Sequence, residues 1–202
     1  ENTPPAIDLT FPSNGATLSQ YSNRTPTFTW NGTDADGDSL TYTIWIATDS
    51  GMSNVVQTNS GMSAESWTSA DIAVDQVLYW KVRADDGTTT TDSSVYSFTL
   101  ESYKSMTLTN NETNFPSMGT DQEEDTTDGS PTPLTLENNG NILLDVTIQA
   151  TDMWDLPAAS NPSSYYRYKA REKESGSIDT GTSQTSWANM PSTSTNLIQD
   201  MD

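Results

Sequence analysis

A chain of 202 residues is long enough for two domains of about 100 residues, each able to bury its own core. It contains neither cysteine nor histidine, which removes disulfides, thiolate metal sites and the commonest general base. Asp and Glu number 28 against 8 Lys and Arg, a net charge of -20 that repels phosphate backbones and excludes nucleic acid as partner.

No run approaches the roughly 20 apolar residues of a membrane span, and the opening Glu1-Asn2-Thr3-Pro4-Pro5 reads as an already processed N-terminus. Ser, Thr, Asn and Gly recur between short segments of alternating polarity, without helical periodicity. The fold class is therefore all-β: two sandwich domains in tandem, residues 1–100 and 101–202.

The first hundred residues hold period-2 segments at 6–11, 25–30, 41–48, 54–58, 65–68, 77–84 and 94–100, a spacing that implies a sandwich. Alternation assigns Phe28, Trp30, Tyr42, Ile44, Ile46, Leu78, Trp80 and Val82 to inner faces, joined by Tyr96, Phe98 and Leu100. Asp34-Ala35-Asp36-Gly37-Asp38 falls between the second and third segments. Alternating carboxylates around a glycine suit a hard cation such as Ca²⁺, and they equally suit a solvated turn. Asp85-Asp86-Gly87 is foremost a hairpin signal.

A Pro-rich start, Trp30 on the second strand, Tyr42 opening the third and the run Tyr79-Trp80-Lys81-Val82-Arg83-Ala84 before Asp85-Asp86-Gly87 together resemble a fibronectin type III domain. The resemblance covers residues 1–100 and implies an immunoglobulin-like sandwich. The position of that family's buried corner tyrosine is held by Leu78, with Tyr79 outward, as in divergent microbial versions.

Sequons at Asn23, Asn31 and Asn111 fall at predicted strand ends or loops, where a glycan can project without disturbing a core. The second half opens with the segment 102–108 and continues into an acidic loop, 110–132, that has no basic residue. A hairpin follows, 133–137 and 142–148 joined by Asn138-Asn139-Gly140-Asn141. The chain then turns Ser/Thr/Gly-rich and reads as lacking a closing strand. These segments resemble repeated domains of large archaeal surface proteins, which implies a second sandwich left incomplete.

Tyr165, Tyr166, Arg167, Tyr168, Lys169 and Arg171 form one aromatic and basic strand on an acidic chain. It either pairs with the acidic loop of an adjacent subunit or is neutralised within its own domain. Trp45, Trp67, Trp154 and Trp187 are packing residues or sugar platforms. Asp152 and Asp155 share a short loop beside Trp154, not the two sides of a cleft that glycoside hydrolysis requires.

No catalytic constellation emerges, and no cofactor is required beyond an optional Ca²⁺. The sequence reads as an extracellular, cell-surface structural protein, a filament, stalk or coat subunit that self-associates through β-domain contacts, including strand complementation. The alternative is an adhesin or a carbohydrate-binding module with glycans as ligands.

Overall fold

The computed structural model describes residues 1–19, 21–117, 123–149, 167–172, 174–191 and 193–202, and among them every regular element is a strand. The chain divides into two compact units, Glu1–Tyr103 and Lys104–Asp202. No helix among the described residues is long and apolar enough to cross a membrane.

The first unit contains β1 (Ala6–Phe11), β2 (Ala16–Leu18), β3 (Thr27–Thr33), β4 (Thr41–Ala47), β5 (Val55–Met62), β6 (Ser66–Thr68), β7 (Val77–Asp85), β8 (Thr90–Asp92) and β9 (Tyr96–Leu100). One sheet runs β1-β3-β6 and the other β2-β9-β7-β4-β5, with β8 paired to β7. All seven segments of alternating polarity contain strands; β2 and β8 are additions too short to show a period.

Alternation explains the packing. In β4 the residues Tyr42, Ile44 and Ile46 are buried, and in β7 Leu78, Trp80, Val82 and Ala84 are buried, because period-2 side chains share one face of a pleated strand. The opposite sheet contributes Phe28 and Trp30. Phe28 meets Trp80 edge-on at 5.0 Å and Phe98 at 5.3 Å, while Trp30 meets Tyr42 at 5.6 Å. Such edge-to-face pairs add about 0.5–1.5 kcal/mol each beyond their area burial. Of the core assigned from sequence only Tyr96 is half-buried, and Leu9, Leu18 and Ile72 join it.

Tyr42 also carries a polar tether. Its hydroxyl donates to Glu65 Oε1 at 3.1 Å, and the Gly32 amide donates to the same oxygen at 2.8 Å. Burial, reinforced by the Glu65 carboxylate, pushes the Tyr42 hydroxyl up to about 12.

The second unit contains β10 (Met106–Asn110), β11 (Thr135–Asn138), β12 (Leu144–Ile148), β13 (Arg167–Tyr168), β14 (Ala188–Asn189) and β15 (Thr195–Met201), arranged as three two-stranded ribbons: β10-β11, β12-β15 and β13-β14. Two expectations are corrected. The segments 133–137 and 142–148 do not form a hairpin; β11 pairs with β10, and β12 with β15. The intervening Asn-rich stretch spends its polar groups elsewhere: the Asn138 side-chain amide donates to the carbonyls of Ile142 and Met201, and the Asn139 amide donates to Ser105 O. A strand does lie within 142–148, but polarity alone does not choose its partner strand. A closing strand is also present, since residues 195–201 form β15, which buries Ile198 and Met201.

A smaller core of Ala170, Ile178, Ile198 and Met201, flanked by Leu136, Leu144 and Val146, holds this unit together. The acidic stretch forms no strand among its described residues between Asn110 and Thr135, and its Asp121 lies outside them.

Gly32 has the least room of the glycines in the first unit, because a Cβ there would lie 2.3 Å from the Tyr42 hydroxyl and 2.7 Å from its ring. Gly32→Ala is expected to destabilise the unit by about 1–3 kcal/mol through overpacking. An unchanged urea midpoint would contradict this packing.

Candidate functional site

The loop between β3 and β4 is shaped by Asp34. Its Oδ1 accepts the backbone amides of Asp36 at 2.9 Å and Asp38 at 3.2 Å, and Gly37 takes a φ of 80°. That region strains L side chains, so glycine is the residue that lets the loop turn back on itself. Asp36 Oδ2 accepts the Thr3 amide at 2.6 Å. One carboxylate oxygen from each of Asp34, Asp36 and Asp38 lies within 4.8 Å of the others. Asp34 Oδ2 is buried and meets no hydrogen-bond donor. A buried, unpartnered carboxylate oxygen is costly, and a hard cation satisfies it while relieving the mutual repulsion of three acids. The donor set therefore fits Ca²⁺. Asp85-Asp86-Gly87, by contrast, forms the hairpin between β7 and β8, where Asp86 accepts the amides of Thr88 and Thr89 at 2.7 and 2.6 Å.

A second kind of arrangement surrounds two tryptophans. Trp45 on β4 stands opposite Lys81 on β7, whose Nζ lies 5.2 Å from the ring centroid; Arg83 Cζ lies at 5.4 Å. Asp92 on β8 binds both cations, with Lys81 Nζ at 2.7 Å from Oδ2 and Arg83 Nε at 2.5 Å from Oδ1. The Arg83 hydrogen bond, with help from Lys81, holds the Asp92 carboxyl down to about 2, against the opposing effect of partial burial.

In the second unit, Trp187 lies 4.5 Å from Lys169 Nζ and 5.9 Å from Arg167 Cζ. The expected strand is short, its described part being β13 alone, but burial alternates through the residues that follow: Arg167 and Arg171 are exposed and Lys169 half-exposed, while Tyr168 and Ala170 are buried. Tyr168 is thus corrected from contact surface to core, because its alternation partner is the inward Ala170. Tyr165 and Tyr166 lie outside the described residues, as do Trp154, Asp152 and Asp155. Trp67 packs on the main core beside Phe28.

Asn23, Asn31 and Asn111 are all exposed. Asn31 lies near the C-terminal end of β3, opposite Asp8 of β1.

Sequence reasoning did not single out the free edges. β5 is an edge strand of eight residues with no charge that exposes Val55 and Val56. In β10, also uncharged, Met106 and Leu108 are 50% and 43% exposed, though Leu108 pairs with the core-facing Leu136. Across a cavity of about 410 Å³, Lys104, Ser105 and Met106 face residues 144–147, so β10 and β12 flank an opening without sharing a ladder. The readable signal was an uncharged run in a chain of net charge -20.

No protein-family model and no curated protein matches the chain.

Asp92 allows a clean pH test. A carboxyl depressed to about 2 from 3.8 contributes stability that is fully present above about pH 4 and is lost as pH falls toward about 2. Asp92→Asn is expected to lower stability at neutral pH and to flatten the acid limb in a urea series. An acid limb as steep as that of the parent protein would remove Asp92 from this role.

Proposed function

We propose that the chain is an extracellular structural protein, a subunit of a surface filament, stalk or coat whose copies join through β-domain contacts. The first unit serves as a fibronectin type III-like spacer. Its three strands β1-β3-β6 facing β2-β9-β7-β4-β5 support that reading.

The observation that carries the assembly proposal is the opening between β10 and β12 beside the uncovered Met106 and Leu108. An extended strand from a second copy would satisfy unpaired backbone groups on both edges and cover the apolar side chains. A second copy is the favoured occupant because β5 and β10 carry no charge in a chain of net charge -20, and the opening beside β10 presents one carboxylate, Asp145, together with the cation Lys104. A contact between unlike surfaces repeats head to tail and builds an open polymer. Ca²⁺ at Asp34, Asp36 and Asp38 would stiffen the β3–β4 loop, and glycans at the three sequons would coat the exposed faces.

Light scattering on native material is expected to give a mass many times 22.0 kDa. Met106→Lys combined with Leu108→Lys, both at exposed positions, is expected to lower it toward the monomer. A monomer at all concentrations, or assembly indifferent to the double variant, would refute this contact.

Calcium is expected to raise the melting temperature, since a ligand at about 100 times its Kd stabilises by about 2.7 kcal/mol. Asp34→Asn should abolish the rise. A melting temperature unmoved by calcium or chelator would exclude the cation.

A further inference from the structure

Each unit has a tryptophan capped by two cations two residues apart, yet among the described residues only one of these cradles has a carboxylate in ion-pair contact. Around Trp45, Asp92 binds both Lys81 and Arg83. Around Trp187, Arg167 and Lys169 occupy the equivalent places, but among the described residues neither forms an ion pair. Trp187 is 40% exposed, so the cradle opens to solvent.

We propose that the Arg167–Lys169–Trp187 cradle takes a carboxylate from the acidic segment 123–128 of a second copy, which plays the part that Asp92 plays within the first unit. This rests on the assembly reading above.

Charge selects the occupant. The chain carries 28 acidic residues against 8 basic ones, so a pair of cations on one ring is scarce on it and an acidic segment is its natural complement. Glu123 and Glu124 are exposed. Asp125 of the same chain feels the charge of Lys169 but forms no ion pair with it. Its Oδ1 instead accepts the Thr127 amide at 2.7 Å and the Thr127 hydroxyl. The guanidinium of Arg167 can grip a carboxylate at two points, while Lys169 supplies a point charge beside it. Trp187 holds both cations from below and limits the freedom they lose on binding.

The test is carbodiimide cross-linking of an equimolar mixture of ¹⁴N- and ¹⁵N-labelled native protein, with light scattering on the same sample. Peptides joining Lys169 to Glu123 or Glu124 and carrying both isotopes are expected. Arg167→Gln is expected to weaken association on the order of tenfold. The pair Arg167→Glu/Lys169→Glu should regain association when mixed with Glu123→Lys/Glu124→Lys. Single-isotope cross-links alone would mean that the cradle closes on its own chain and would overturn the proposal. Assembled material without a Lys169 cross-link would overturn it too, leaving the assembly reading intact. A monomeric sample would overturn both.

Discussion

The contact on which the first unit depends is the meeting of Phe28 with Trp80 across the two sheets. Neither sheet can bury its inner face alone, and these rings, extended by Phe98 and by the Trp30–Tyr42 pair, set the separation at which the remaining aliphatic side chains interdigitate. Gly32 can lie against Tyr42 only because that separation is fixed. From the same frame follow the loop that gathers three aspartates after β3 and the outward face of β4 and β7, where Trp45 and its cations lie.

The two units use different means of cohesion. The first has a continuous core of large side chains, including several with no exposed surface, and all the ion pairs among the described residues. The second relies on a cluster of four buried residues, with Tyr168 and Met190 buried outside it, and on side-chain-to-backbone ties such as those of Asn138. A small core leaves apolar side chains uncovered, and Met106, Leu108, Leu134 and Leu143 are all exposed there. Surface of that kind is a cost to an isolated molecule and a resource to one with a neighbour.

The sequence was most legible where one face is buried and the other wet. β4 and β7 could be read residue by residue, and every segment of alternating polarity in the first unit became a strand. It was least legible where pairing is long-range. The run 133–148 carries a convincing turn, yet its two halves join strands 25 or more residues away, because hydrogen bonding to Ser105 and Met201 outweighs the local option. Ile72 escaped notice for a related reason: it is buried from an irregular segment held by mutual hydrogen bonds with Arg24. Among candidate site residues, the aspartate triad was visible as spacing alone, while its buried, unpartnered oxygen required coordinates. The cation-capped tryptophans went unseen because strand pairing or the fold brings Trp45 to Lys81 and Trp187 to Lys169.

The pairing of β2 with β9 has a mechanical meaning. These strands lie near the two ends of the first unit and run parallel, Ala16 beside Phe98 and Leu18 beside Leu100. Tension drawn along the chain through that unit therefore loads their cross-strand bonds side by side in shear, so that they must yield together, whereas an antiparallel pair at the same place would peel open one bond at a time. Leu18 and Leu100, both buried beneath this joint, must leave the core in the same step. In the proposed role of spacer, the unit would resist stretching at this joint, after β1 is drawn off and before the central sheet is disturbed.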